Sequence, residues 1–142
     1  MVDWIEILAV PLSAQAAVEF VSAAQAGGIS MFLGTTRAET SPGAQPLVAL
    51  DYEAYPEMVI EQLRDLARRA REKWPIIKLA LLHRTGRVAL GEPSVIIAVS
   101  TPHRGEAFDA CQWLIDTLKA EVAIWKKEIW SDGSGTWVDP QA

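Results

Sequence analysis

The sequence predicts an α+β fold with a mostly antiparallel sheet and about three helices. Three observations lead there. Apolar residues recur at helical spacing in three stretches and form alternating or β-branched runs elsewhere. Several strand-like segments are adjacent along the chain, which favours antiparallel pairing over a doubly wound parallel sheet. No strand is followed by GxGxxG or GxxxxGK[ST], the glycine-rich turns of nucleotide-binding folds. With 142 residues, 50% of them hydrophobic, the chain suits one domain over 1–142 with a core of its own.

The elements follow in order. Residues 4–10 form a first strand, closed by Pro11. Ser13 is the N-cap of a helix expected to reach about Ala26, with Ala17, Phe20, Val21 and Ala24 at helical spacing and Gly27-Gly28 as its stop. Residues 29–35 are a second strand containing Gly34, where a ligand or another backbone can come close. Residues 38–46 have the composition of a mobile connector, with an active-site lid or partner-binding loop as the other reading. A third strand covers 47–54. Pro56 and Glu57 suit the first turn of a helix reaching about Trp74. Its apolar stripe is Ile60, Leu63, Ala67, Ala70 and Trp74. Its other face interleaves Arg64, Arg68, Arg69, Arg71 and Lys73 with Glu61, Asp65 and Glu72, the pattern of a solvated, ion-paired face. Strands are expected over 76–83, 87–90 and 94–101. A helix follows over 104–119 with Phe108, Cys111, Ile115 and Leu118 inward, then a strand over 124–130. Asp132-Gly133-Ser134-Gly135 turns the chain into a last strand at 136–138.

Composition removes several classes of function. A net charge of −5 is wrong for a general nucleic-acid binder, which needs many cations against phosphate. No apolar run approaches the roughly 20 residues that span a bilayer, so no membrane is expected as partner. Met1-Val2-Asp3-Trp4 lacks the basic start of a signal peptide, and a cytoplasmic chain is expected. One Cys and two separated His provide neither a disulfide nor metal-ligand spacing, so no metal or cofactor is expected. Cys111, on an apolar stripe, reads as an inert hydrophobe. Trp74, Trp113, Trp125, Trp130 and Trp137 read as core and interface builders.

Few residues then remain for chemistry. Lys119 ends one helix and Lys126 lies in the following strand, so the two can return to one place. Neighbouring ammonium groups lower each other's proton affinity, and such an amine can polarise a carbonyl, move protons or form an imine. The bland alternative is a pair of surface lysines. Lys127 points to the face opposite Lys126 in any strand. His103-Arg104 stands where a strand gives way to a helix N-terminus, a place suited to an anion, or simply to water-facing polar groups. Arg37 ends the strand that holds Gly34, and His83-Arg84 reads as structural, before a turn at Thr85-Gly86.

Taken together, several stretches resemble the large, catalytic subunit of molybdopterin synthase. They are 50–58 (Leu-Asp-Tyr-Glu-Ala-Tyr-Pro-Glu-Met), His83-Arg84-Thr85-Gly86 with Gly91-Glu92, and Ser100-Thr101-Pro102-His103-Arg104 with Ala107-Phe108. Leu118-Lys119, 124–128 (Ile-Trp-Lys-Lys-Glu), Asp132-Gly133 and Trp137-Val138 complete the set. The resemblance covers about residues 29–138. It implies an α/β hammerhead-type fold and a homodimer of large subunits. Each would bind a small ubiquitin-like sulfur carrier ending in a Gly-Gly thiocarboxylate, giving a heterotetramer. The implied substrate is cyclic pyranopterin monophosphate, which receives two sulfurs to become the molybdopterin dithiolene. By the family pattern Thr35, Thr36, Arg37, His103, Arg104, Lys119, Lys126, Lys127 and Glu128 line the substrate site, with Lys119 and Lys126 catalytic. Two positions depart from it: Thr35 stands where a Lys is common, and Ala38 where an Asn is common. Two readings from other classes stand beside it. One is a non-catalytic module that binds a small phosphorylated ligand and regulates a partner, and the other a lysine enzyme that forms imines alone.

Overall fold

The computed structural model describes residues 3–138. Met1 and Val2, on which part of the signal-peptide reading rests, and the last four residues of the expected domain lie outside them. Eleven elements run in the order β1 (Asp3–Leu8), α1 (Ala14–Val21), β2 (Gly28–Thr35), β3 (Leu47–Ala54), α2 (Pro56–Lys73), β4 (Lys78–Arg84), β5 (Gly86–Ala89), β6 (Pro93–Thr101), α3 (Arg104–Glu121), β7 (Ile124–Trp130) and β8 (Gly135–Val138). The strands form two four-stranded sheets, in the orders β1-β4-β6-β2 and β5-β3-β7-β8. Among the described residues only β1–β4 pairs parallel, and every other strand pairing is antiparallel. The α+β class with three helices is therefore the observed one.

The first sheet is covered on both faces, and the two-residue period of its central strands separates the two cores. Leu79 and Leu81 of β4, with Val95, Ile97 and Val99 of β6, face α2 and α3. Ala80, Leu82, Ile96 and Ala98 face α1. A strand buried on both sides needs an almost continuous apolar run, as 94–99 has apart from Ser94. A third, smaller cluster of Leu47, Leu50 and Trp130 belongs to the second sheet.

Four local expectations change. First, α1 ends at Val21, five residues early, because the Ser22 hydroxyl donates to the Val18 carbonyl at 2.7 Å while Ser22 itself turns extended. Gly27 and Gly28 serve packing instead of stopping a helix. A Cβ on Gly27 would lie 2.2 Å from the Pro102 carbonyl oxygen, and one on Gly28 would lie 2.7 Å from the Arg104 Cα. Second, residues 38–46 are a tied turn. Ser41 N–H donates to the Gln45 carbonyl, Leu47 N–H donates to the Glu39 carbonyl, and Thr40 bridges Pro46. Third, the buried stripe of α2 is Val59, Leu63, Leu66, Ala67 and Ala70, displacing Ile60 and Trp74 from its centre. Fourth, Phe108 of α3 is 61% exposed, and Ala107, Ala110 and Leu114 join Cys111, Ile115 and Leu118 inside. The charged face of α2 is ion-paired as expected, through Arg64–Glu61 and Arg68–Asp65, while Arg69–Glu121 ties α2 to α3.

Candidate functional site

β7 antiparallel to β3 sets Lys126 opposite Tyr52 and Glu128 opposite Leu50. Alternation puts Lys126 and Glu128 on one face and Lys127 on the other. The inner face meets the C-terminal end of α3 and the ends of β2 and β6 around a cavity of about 910 Å³. Lys119, Lys126, Glu128, Arg37 and Thr35 all line it. That volume lies within the range of small-molecule sites. Lys119 is exposed in the last turn of α3, where the helix dipole favours a cation. Arg37 is on the rim, its side chain 83% exposed and paired with Glu39 at 2.9 Å. Gly34 also lines the cavity, but its missing Cβ makes room for Val95 Cγ1, which would lie only 2.6 Å away. The close approach expected at Gly34 is thus made by a side chain.

The electrostatics of the rim are mixed. Arg37, by its hydrogen bond, holds the Glu39 carboxyl below its ordinary range. Burial first, and then the Glu39 charge, push Glu128 up. Between these two carboxyls Glu128 is therefore the one that holds a proton more readily, and it can donate it toward Glu39. Asp116, one turn before Lys119 on α3, adds a further acid to the lining.

Four of the sequence-derived residues lie elsewhere. Lys127 sits on the outer face with its Nζ 5.6 Å from the Trp137 ring. Thr36 is buried with an unbonded hydroxyl, and it is not part of the cavity wall. His103 and Arg104 flank a separate groove with Gly27, Pro102, Gly105 and Phe108. They begin α3 whereas Lys119 nearly ends it, 15 residues on, a separation of roughly 22 Å at 1.5 Å per residue. Within one chain the anion pair and the two lysines do not share a site.

Three cavity residues were not singled out from the sequence as lining groups: Tyr52, His83 and Ser94. His83 is 5% exposed. A signal for it existed, since His83 continues the inward alternation of Leu79 and Leu81 and is a polar residue at a core position. Its Nδ1–H donates to the Arg84 carbonyl at 2.8 Å. Burial drops its pKa to about 4, so the ring is neutral at physiological pH. The Tyr52 ring meets it edge-on at 5.1 Å. Burial raises the Tyr52 phenol, against the opposing effect of the Ser94 hydroxyl. Arg84 pairs with Glu92 at 2.9 Å, which bears out a structural role for that half of the dipeptide. Cys111 is buried and its thiol is pushed up by burial, in keeping with an inert residue. Among the described residues no group of three or more His, Cys, Asp or Glu is placed to hold a metal, and no helix is long and apolar enough to cross a membrane.

The chain matches the family model described as "MoaE protein" over residues 7–121. It is 48% identical over 116 residues to the molybdopterin synthase catalytic subunit of Arabidopsis thaliana, covering 82% of this chain and 58% of that protein. It is 43% identical over 131 residues to the subunit of the same name from Taeniopygia guttata, covering 92% and 83%. Its fold is similar to the crystal structure of molybdopterin synthase from Staphylococcus aureus, with a TM-score of 0.88 and 35% identity over 94% of this chain and 96% of that one.

Proposed function

The chain belongs to the MoaE protein family, and from that premise we propose that it moves sulfur from the C-terminal thiocarboxylate of a small ubiquitin-like carrier onto cyclic pyranopterin monophosphate. It is a sulfur-transferring enzyme of molybdenum cofactor biosynthesis. Its relatives are named as catalytic subunits, so the enzymes they come from contain a further subunit. In this reading that subunit is the carrier, and two copies of this chain with two carriers make a heterotetramer in the cytoplasm.

The observation that carries the reading is that Lys119 and Lys126, from different elements, line one cavity with Arg37. A thiocarboxylate is an anion with a nucleophilic sulfur, and two ammonium groups draw it in. Its sulfur adds to a carbonyl carbon of the precursor. The C=O π pair moves to the oxygen, which is protonated and leaves as water as the neighbouring carbon gives up a proton, and the carrier stays joined through a thioester. Water then adds to the thioester carbonyl, the thiolate stays on the pterin, and the carrier leaves as a carboxylate. The oxyanion formed in that second step is where Lys119 contributes, as an electrophile or acid, while Lys126 orients the carrier end and balances charge. Glu128 supplies a nearby carboxyl whose proton affinity is raised by burial and by Glu39. Thr35 lines the same wall as a neutral residue.

His103-Arg104 has the chemistry of a phosphate anchor, with a planar fork and a helix N-terminus. Since it is roughly 22 Å from Lys119 along α3, the reading requires that a second copy of the chain bring its pair to this cavity. Lys127 and Thr36, turned away from the cavity, act in this reading only by holding their neighbours in place.

The test is reconstitution. This chain, thiocarboxylated carrier and cyclic pyranopterin monophosphate are mixed and the dithiolene pterin is measured; product is expected, and none without the carrier. Lys119→Ala is expected to lower kcat by at least about 100-fold while carrier affinity stays within a few-fold. Near-normal product from that variant refutes the assignment. A regulatory phosphate-binding module needs no lysine pair, and an imine-forming enzyme needs no carrier, so the same assay separates both from this reading.

A further inference from the structure

The cavity is charged at its mouth and neutral at its floor. Arg37, Lys119, Glu39 and Glu128 are exposed or half-buried, while His83 and Ser94 are buried. The floor is nonetheless polar. The single hydrogen bond of the His83 ring to a described residue is Nδ1–H to the Arg84 carbonyl. A carbonyl only accepts, so the proton is on Nδ1 and Nε2 carries a lone pair. Nε2 makes no hydrogen bond to any described residue and is not among the fully enclosed unpartnered polar atoms, so it is open to water or to a ligand in the cavity that His83 lines. The Ser94 hydroxyl donates to the Gly34 carbonyl at 3.2 Å and neighbours the Tyr52 phenol.

We propose that His83 Nε2, together with Tyr52 of the same cavity wall, is the subsite that recognises the neutral heterocycle of the substrate, taking a ring or amino N–H as a hydrogen-bond donor. The inference rests on the functional reading above and assigns residues to the pterin half of that substrate. Two ligand parts could offer an N–H here, the pterin and the glycine amides of the carrier tail. The floor fits the pterin. A tail enters end first, and its terminal anion stops at the lysines near the mouth; a floor without a cation gives it no reason to go deeper. A precursor with a phosphate at one end and a flat, N–H-rich ring at the other matches a cavity with cations outside and a neutral acceptor within. Placing a neutral His at the floor also gives selectivity. A site built around an unpaired acceptor rejects an analogue that lacks the matching donor more strongly than an apolar wall does.

The test uses His83→Asn and Tyr52→Phe. Asparagine keeps a donor near the Nδ1 position for the Arg84 carbonyl and removes the Nε2 acceptor. Phenylalanine keeps the edge-on ring contact and removes the hydroxyl. In the reconstituted assay the KM for cyclic pyranopterin monophosphate is expected to rise about tenfold in His83→Asn and a few-fold in Tyr52→Phe, with kcat within about twofold. Fluorescence titration with a pterin that has no phosphate should show the same loss, whereas affinity for the carrier should not change. An unchanged KM in folded His83→Asn overturns the subsite, and so does a loss confined to carrier affinity. If His83→Asn does not fold, an unchanged KM in Tyr52→Phe overturns it. These results leave the functional reading standing, because the wild-type chain makes product in the same assay. If the wild type makes none, that reading falls and the subsite falls with it.

Discussion

Lys126 and Lys127 are adjacent in the chain and have opposite surroundings. One faces a cavity with Lys119 and Glu128, and the other lies against Trp137 on the far side of the sheet. Strand alternation dictates that split, and nothing in the side chains themselves does. His83 is the opposite case, a residue whose chemistry is set by depth. Its folded-state pKa of about 4 lies below the ordinary 6.5. Between those values the unfolded chain takes up a proton that the folded chain refuses. Stability therefore falls as the pH drops from 6.5 toward about 4, and the loss is complete below that. The full effect is about 3 kcal/mol at 1.36 kcal/mol per unit. Urea unfolding midpoints measured from pH 7 to pH 4 are expected to show it as the difference between the wild type and His83→Asn, whose profile should be flatter. Parallel profiles would contradict the buried neutral ring. Acids held low by partners, such as Asp51 beside Arg87 and Glu92 beside the Ala89 amide and Arg84, lose stability in both proteins and cancel.

At the scale of elements, the starts and the interiors of helices obeyed different rules. Ser13 caps α1 through its hydroxyl, which accepts from the Ala16 amide at 3.1 Å, as its residue type suggested. Ser13→Ala is expected to cost about 1 kcal/mol in chemical denaturation. Leu114→Ala, in the middle of α3 and fully buried, should cost about 2–5 kcal/mol by the same measurement, since it opens a cavity between α3 and the first sheet. Equal losses would mean that α3 packs more loosely than its burial indicates. Where the expected stripe failed, the helix had apolar residues on more than one side. Phe108 fits helical spacing with Cys111, but it falls on the outer edge of the face that meets the sheet. The short residues Ala107 and Ala110 take the inner positions, because they let α3 approach β2 and β6 closely. The chain bends out of α1 at Ser22 for an equally local reason, a hydroxyl competing for the Val18 carbonyl, and serine composition alone does not say when that competition wins.

For the whole molecule, the distribution of cations matters most. The lysines at one end of α3 and the His103-Arg104 pair at the other cannot act on one substrate inside a single chain. Phe108 and Ile29 are exposed near that second end, on α3 and β2. In the proposed dimer, Arg104→Ala should raise the KM for the phosphorylated precursor about tenfold or more with little change in kcat, because phosphate anchoring is uniform binding. Mixing Arg104→Ala chains with Lys119→Ala chains should restore activity in part, since one site of the mixed dimer then has an intact lysine and an intact arginine. An unchanged KM in Arg104→Ala, or no recovery on mixing, would remove the pair from the site.

Residue type and spacing in the sequence were enough for the α+β class, the strands at 47–54 and 124–130 and the paired charges of α2. Those are properties of neighbours in the chain, where periodicity and local chemistry decide the outcome. Only the tertiary structure decided which lysine faces inward, that His103-Arg104 stands a helix length from Lys119, and that a neutral histidine forms the cavity floor. Each depends on the pairing of β3 with β7 and on the meeting of two sheets at the end of α3. Such contacts join residues far apart in sequence, and no local pattern records them.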